Sequence, residues 1–162
     1  MQLFAGLDVS MDETSICIVD RDGKIVRECN AETEPTAIRS TLDGYTDRLH
    51  RVGLEAQAFS PWLFTELRRM GLPAIVVEAV HMQKALSAQR NKTDRNDARS
   101  IAHMMRVGWF RQVHVKSSES QHLRVLLSNR RLLKRKFIDV ENEVRDTLKA
   151  FGLKIGDQPR QV

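Results

Sequence analysis

The first 30 residues contain three short apolar segments, and polar or turn-forming residues follow each one. Leu3–Val9, Thr14–Asp20 and Ile25–Cys29 have the length and the β-branched content of strands. Asp22-Gly23 predicts a two-residue hairpin turn between the second strand and the third. Because strands joined by such short connections pair antiparallel, a purely parallel sheet is excluded.

After these strands, helical patterns alternate with strand patterns. Pro35–Arg51 has apolar residues at helical spacing, and Val52–Ala56 has the pattern of a strand. Ser60-Pro61 predicts a helix start with the serine as N-cap, and Ala74–Val77 predicts a strand covered on both faces. Further helices are predicted at His81–Gln89 and Asp94–Val107. The order β-β-β-α-β-α-β-α predicts an α/β fold with a mixed sheet flanked by helices.

The segment from Ser117 to Phe151 contains neither Pro nor Gly. Its apolar residues follow the alternating steps of three and four of a coiled coil, with Arg130 and Thr147 interrupting the pattern: Leu123, Leu126, Leu133, Phe137, Val140, Val144 and Phe151. We therefore predict a domain over 1–115, a projecting coiled-coil helix over 117–152 and a flexible tail over 153–162. Such a helix predicts a homo-dimer or higher oligomer, and the alternative is that it folds back on the domain.

The net charge of +5 is unevenly distributed. Residues 1–80 contain 8 Lys+Arg and 13 Asp+Glu, whereas residues 81–162 contain 18 Lys+Arg and 8 Asp+Glu. A basic half favours a polyanionic partner such as DNA, although a solvated helical surface gives the same composition. The basic residues of the long helix cluster at Arg130, Arg131, Lys134, Arg135 and Lys136.

Cys17 and Cys29 are expected to be free thiols, because the hairpin register pairs Cys17 with Glu28 and puts the two cysteines on opposite faces. The histidines and cysteines show no zinc-site spacing. No apolar segment reaches the roughly 18 residues of a membrane span, and no signal-peptide pattern is present. These features predict no membrane association and a cytoplasmic location.

Four carboxylates stand at positions typical of a metal-dependent enzyme. Asp8 and Glu55 end predicted strands, and Asp94 and Asp97 share one face at the start of a predicted helix. Each has an ordinary explanation as a turn former, an ion-pair partner or a helix cap. Glu78 also ends a strand, and its local sequence does not distinguish it from Glu55. The expected strand order favours Glu55, because its strand should lie beside that of Asp8.

Together these carboxylates predict a Mg²⁺ site, which Mn²⁺ could also occupy, because hard cations prefer oxygen ligands. Two such ions about 3.5–4 Å apart can hold the attacking and leaving oxygens of a phosphoryl displacement. In this interpretation Asp8 bridges the ions, Glu55 and Asp97 flank them, and Asp94 completes the set. Basic residues near this site and on the long helix would contact nucleic acid: Lys92, Arg95, Arg99, Arg131, Lys134 and Arg135.

Three segments carry a resemblance to a known family: Gly6-Leu7-Asp8-Val9-Ser10, Leu54-Glu55-Ala56 and Asn91-Lys92-Thr93-Asp94-Arg95-Asn96-Asp97-Ala98. They resemble the DEDD transposases of bacterial insertion sequences, the group described as bridge-RNA-guided recombinases. The resemblance implies a RuvC-like, ribonuclease-H-type domain whose acidic tetrad binds Mg²⁺. It also implies a coiled coil, assembly as dimers and tetramers, and partners that are a structured guide RNA and two DNAs.

Members of that family also have a C-terminal domain with a serine thought to attack DNA. The 162 residues stop before such a domain, so the resemblance implies either a truncated gene product or an expressed fragment. No serine in this sequence has an evident activating base, and none is assigned that role.

Three functions remain open at this point. The first is the N-terminal catalytic half of a DNA transposase, which cleaves and exchanges strands with bound Mg²⁺. The second is a free-standing nuclease that resembles a Holliday-junction resolvase and would cut branched DNA alone. The third is a truncated regulator without activity, whose salt-sensitive binding of RNA or DNA would survive Asp8→Asn.

Overall fold

The computed structural model describes residues 1–78 and 94–153, without the side chains of residues 94–96. Its strands are β1 (Leu3–Val9), β2 (Glu13–Val19), β3 (Ile25–Glu32), β4 (Leu49–Glu55) and β5 (Ala74–Val77). Its helices are α1 (Pro35–Leu42), α2 (Ser60–Arg69), α3 (Asp94–Val107) and α4 (Ser118–Ala150), with a 3-10 helix at Asp43–Arg48. The helix predicted at His81–Gln89 and the tail after Leu153 lie outside the described residues. The chain divides into two compact units, Met1–Val115 and Lys116–Val162.

The first unit is built on one five-stranded sheet in the order β3-β2-β1-β4-β5. Strand β1 pairs antiparallel with β2 and parallel with β4, and β4 pairs parallel with β5. The predicted mixed sheet is confirmed. The predicted pairing of Cys17 with Glu28 is also confirmed, and both cysteines are free thiols.

A separate apolar core lies on each face of the sheet, because alternate residues of β1 point to opposite sides. One core contains Leu3 and Leu7 of β1 together with buried residues of α1 and α2. The other contains Phe4 of β1 and the inner side of α3. Four residues on the inner side of α3 are fully buried: Ala98, Ile101, Ala102 and Met105.

Two glycines let α3 approach the sheet closely. A Cβ at position 6 would overlap the backbone carbonyl oxygen of Ala98 and the backbone nitrogen of Ala102. A Cβ at position 53 would lie 2.7 Å from the sulfur of Met105. Gly6 and Gly53 are directly paired across β1 and β4, so α3 crosses the sheet at this pair.

Two local predictions were wrong. The helix predicted over Pro35–Arg51 ends at Leu42, because Asp43-Gly44 interrupts it, and β4 already starts at Leu49, whose side chain is buried. The hairpin turn contains three residues rather than two. Only Gly23 in it has positive φ, at 85°, whereas a two-residue turn of type I′ needs positive φ at both central residues.

Helix α4 has 33 residues and begins at a serine cap, since Ser117 Oγ accepts a hydrogen bond of 3.3 Å from the backbone N–H of Ser120. Gly152 follows its end with a φ of 74°, as expected for a glycine that terminates a helix. None of the residues in α4 is buried. In the described part of the chain, no helix combines the length and the apolar character needed to cross a bilayer.

Candidate active site

Asp8 and Glu55 lie at neighbouring positions on the same face and the same edge of the sheet. The β1–β4 register pairs Gly6 with Gly53 and Leu7 with Leu54, so the next residues along the two parallel strands are Asp8 and Glu55. Parallel strands are about 4.8 Å apart, and residues two apart share a face. Asp8 and Glu55 therefore extend from the face on which α3 packs, and both are half-buried.

The first turn of α3 lies next to this edge. Ala98 packs on Gly6, and Gly6 is two residues before Asp8 on β1. Asp97 immediately precedes Ala98 and is half-buried. The side chain of Asp94, one turn earlier, lies outside the described residues. Within residues 1–78 and 97–153, no three His, Cys, Asp or Glu side chains are close enough together to hold a metal ion.

The end of β4 is fixed by a buried hydroxyl. Ser60 is predicted as an N-cap, but its hydroxyl instead donates to the backbone carbonyl of Glu55 and accepts from the backbone N–H of Gln57 at 2.9 Å. The side-chain amide of Gln57 also donates to the Glu55 carboxylate at 3.4 Å. The loop after β4 therefore holds both the backbone and the side chain of Glu55. Apart from the helix-start motif, no sequence pattern indicates these contacts.

Glu78, which the sequence did not distinguish from Glu55, occupies a different environment. Val77 belongs to the core under α3, whereas Val76 belongs to the opposite core, so strand alternation directs Glu78 away from the α3 face. Its carboxylate lies 3.7 Å from Arg111 Nε. The structure thus separates the two strand-end glutamates by the face of the sheet that each one occupies.

Arg99 is held by an ion pair with Glu28 of β3. Its Nη2 donates to Glu28 Oε2 at 2.7 Å, and its Nε donates to Glu28 Oε1. The hydrogen bond to Glu28 raises the pKa of Arg99. Burial raises the pKa of the facing Cys17 thiol to about 12, and the charge of Glu28 adds to this effect. A phosphate that contacts Arg99 would therefore compete with Glu28.

The contact between Glu28 and Arg99 was not predicted. The hairpin register did place Glu28 opposite Cys17, on the face that α3 covers, and this was a signal for a buried partner. The remaining predicted nucleic-acid contacts divide between two regions. Lys92 and the side chain of Arg95 lie outside the described residues. Arg131, Lys134 and Arg135 are exposed on α4.

Solved structures with a similar fold show which structural class the first unit belongs to. The structure is similar to the Thermus thermophilus RuvC structure, with a TM-score of 0.51 and 13% identity over 69% of this chain and 100% of that one. It is also similar to T. thermophilus RuvC in complex with a Holliday junction substrate, with a TM-score of 0.52 and 14% identity over 70% of this chain and 100% of that one. The first unit is therefore a RuvC-like domain of the ribonuclease-H type.

The sequence narrows this class to one family. Residues 5–152 match the model of the IS110-type DEDD transposase family, described as a transposase. The chain belongs to this family. It is 27% identical over 150 residues to the transposase for insertion sequence element IS1111A from Coxiella burnetii, strain RSA 493 / Nine Mile phase I. That match covers 91% of this chain and 39% of the relative, so the chain spans about two-fifths of the relative's length.

Proposed function

We propose that this chain is the N-terminal catalytic half of a DNA transposase and that Asp8, Glu55, Asp94 and Asp97 bind Mg²⁺. The observation that carries the proposal is that Asp8 and Glu55 occupy corresponding positions at the ends of two adjacent parallel strands, one residue beyond the paired Leu7 and Leu54. Helix α3 packs on Gly6 through Ala98 and Ala102, and the other two carboxylates belong to the turn of α3 that precedes this contact. Three segments distant in the sequence thus contribute to one edge of the sheet.

The donor set fits a hard divalent cation, because all four groups are carboxylates. Divalent ions at such a site would stabilise the attacking and leaving oxygens of a phosphodiester in an in-line displacement. The other residues of the chain would contribute by holding these carboxylates in position. Ser60 and Gln57 fix Glu55, and the close contact between Gly6 and α3 fixes the distance from β1 to the helix that carries Asp97.

The partners proposed for this activity are DNA, a structured guide RNA and further copies of this chain, with the reaction taking place in the bacterial cytoplasm. Helix α4 supports the last of these partners, because it exposes heptad-spaced apolar residues to solvent. Leu126 is 65% exposed and Leu133 is 69% exposed. The basic residues Arg131, Lys134 and Arg135 lie on the same helix, where a nucleic-acid backbone could reach them.

The test is a Mg²⁺ titration of the 162-residue chain by calorimetry. The wild-type chain should bind Mg²⁺, and Asp8→Asn should lose binding while the far-ultraviolet circular dichroism stays unchanged. Asp12→Asn is the matched control, because Asp12 is an exposed acidic residue just beyond β1. Equal Mg²⁺ binding by the wild-type chain and by Asp8→Asn would overturn the assignment.

A second candidate function has one specific observation in its favour. The structural match covers the full length of the T. thermophilus RuvC chain, so a counterpart of that whole fold is present in this chain. If the chain acts alone as a resolvase-like nuclease, it should cut a four-way DNA junction with Mg²⁺, and Asp8→Asn should not. Binding of the junction without cutting favours the transposase half, which requires further parts.

A further inference from the structure

A basic cavity lies at the opposite end of the β1–β4 pair from Asp8 and Glu55. Its volume is about 260 Å³, and it is lined by Gln2, Phe4, Arg21, His50, Arg51 and Arg106. The arginines come from three separate elements, which are the β2–β3 turn, β4 and the last turn of α3. The fold therefore brings three arginines together where the two parallel strands begin.

Within the residues that the structure describes, these arginines are not paired with acidic side chains: no ion pair joins Arg21, Arg51 or Arg106 to a carboxylate. Like charges that share a cavity without a counterion repel one another. Burial and the charge of Arg106 both lower the pKa of the neighbouring His103, as expected beside an uncompensated positive charge.

The guanidinium groups also retain unused donors. Arg51 Nη1 donates to the carbonyl of Met105 at 2.9 Å, and Arg106 Nη1 donates to the carbonyl of Arg21 at 3.2 Å. Each guanidinium carries five N–H donors, so these bonds use a minority of them. Arg106 Nε is buried and has no hydrogen-bond partner within the described residues. Stabilisation of the C-terminal end of α3 explains the hydrogen bond that Arg51 makes. It does not explain why Arg106 Nε is buried without a partner.

The cavity is also pre-shaped. The Arg51 guanidinium stacks 5.6 Å from the centroid of the Phe110 ring. Gly23 leaves room for Arg106, because a Cβ at that position would lie 3.3 Å from Arg106 Cζ. The volume falls below the roughly 300 Å³ at which pockets for drug-sized ligands begin. Such a cavity suits a compact anion, and guanidinium forks match the oxygen geometry of phosphate.

We propose that Arg21, Arg51 and Arg106 form a phosphate-binding site that holds one backbone phosphate of the bound nucleic acid. The assignment to a nucleic-acid backbone rests on the proposed function, whereas the affinity for phosphate does not. The site would hold the nucleic acid at the end of the sheet opposite the carboxylates. One strand pair would then present a positioning contact at one end and the reacting centre at the other.

The first test uses inorganic phosphate and the Nε–H signals of the arginines in the nuclear magnetic resonance spectrum of the ¹⁵N-labelled chain. Phosphate should move the Arg106 Nε–H signal along a saturable curve. Arg21→Ala removes one guanidinium and keeps the carbonyl that Arg106 contacts, so phosphate affinity should fall about tenfold, as for one charge-assisted hydrogen bond. Arg68→Ala, an exposed arginine on α2, is the matched control and should change nothing.

An Arg106 signal that does not move, or an equal effect of Arg21→Ala and Arg68→Ala, would overturn the site. Arg106→Lys supplies a second check, because it retains the charge and loses the guanidinium fork. Its phosphate affinity should fall while its melting temperature stays close to that of the wild-type chain.

The second test separates a backbone phosphate from a free one. Binding of a DNA oligonucleotide is measured at several salt concentrations, and Arg21→Ala should reduce the slope of log K against log[salt] by about 1. An unchanged slope, with phosphate affinity reduced, would overturn the assignment to the backbone. Asp8→Asn should leave the phosphate response intact, so failure of the metal site and failure of this site are distinguishable.

Discussion

Leu54 of β4 and Leu133 of α4 are the same residue type in opposite environments. Leu54 is fully buried in the core between the sheet and its helices, whereas Leu133 is 69% exposed. In the first unit, apolar residues hold together the scaffold on which Asp8 and Glu55 stand. In α4 they form a surface at heptad spacing. The two parts of the chain thus bury their apolar residues to very different extents, and the proposed assembly role of α4 can be tested separately from the stability of the first unit.

The largest loss of folding stability is expected from a substitution at the position where α3 contacts the sheet. Gly6→Val would force a side chain into the backbone of α3 at Ala98 and Ala102. We expect a loss of more than about 4 kcal/mol in the free energy of unfolding, or no folded protein at all, because neither backbone can move away cheaply. Urea denaturation measures this loss.

Gly44→Ala is the control for that substitution. Gly44 has no neighbouring atom within 4 Å of an added Cβ, so stability should change by no more than about 0.5 kcal/mol. Equal effects of the two substitutions would show that the Gly6 contact does not support the scaffold.

The same truncation in the two regions should have different consequences. Leu54→Ala should lower the free energy of unfolding by about 2–5 kcal/mol, as for other buried leucines. Leu133→Ala should change the stability of the monomer by no more than about 0.5 kcal/mol and should weaken self-association, measured by sedimentation equilibrium. Self-association that is insensitive to Leu133→Ala and to Phe137→Ala would contradict an assembly role for α4.

Within the first unit, the same substitution can be compared at the two strand-end glutamates, Glu55 and Glu78. Glu55→Gln removes a carboxylate from the face that α3 covers and should lower Mg²⁺ affinity by about tenfold or more, equivalent to at least about 1.4 kcal/mol. Glu78→Gln makes the same chemical change on the other face and should leave Mg²⁺ affinity unchanged. Calorimetry measures the Mg²⁺ affinity of both variants. A larger loss for Glu78→Gln than for Glu55→Gln would show that the metal site does not lie at the end of β4.

The last prediction concerns the Cys17 thiol, whose pKa rises from 9.0 to about 12 in the folded chain. In the unfolded chain the thiol ionises near pH 9, so its contribution to stability is complete below pH 9 and is lost as the pH rises towards 12. The stability difference between the wild-type chain and Cys17→Ala should therefore narrow between pH 8 and pH 11. A constant difference across that range would mean that the thiol is not held in its neutral form.

Much of the fold was predictable because the patterns that indicate its strands and helices lie within short stretches of the sequence. The limits of β1, β5 and α3 follow from runs of apolar residues and their periods. The predicted β2–β3 register is observed because a register shift between Ile18 and Val19 offsets the extra residue in the turn. The end of α1 was not predicted, because Leu49 has the same apolar character in a helical pattern as in the strand that it enters. The choice between helix and strand there depends on the pairing of β4 with β1, which is a tertiary contact.

The candidate site was predictable only in part for the same reason. Asp8 and Glu55 are recognisable as strand-end carboxylates, and the structure shows that they are neighbours. The role of Ser60 in holding Glu55 was missed, because its sequence context is that of a helix cap. The basic cavity left no sequence signal, since Arg21, Arg51 and Arg106 are far apart in the chain and only the folded sheet brings them together.

The most direct test of the metal site follows the side-chain carboxyl ¹³C signals of the labelled chain during a Mg²⁺ titration, with and without a DNA oligonucleotide. The signals of Asp8, Glu55, Asp94 and Asp97 should move together along one saturable curve, while that of Glu78 stays in place. Asp8→Asn should remove the response of the other three. Independent movement of these signals, or no movement in either condition, would contradict a shared metal site at the ends of β1 and β4.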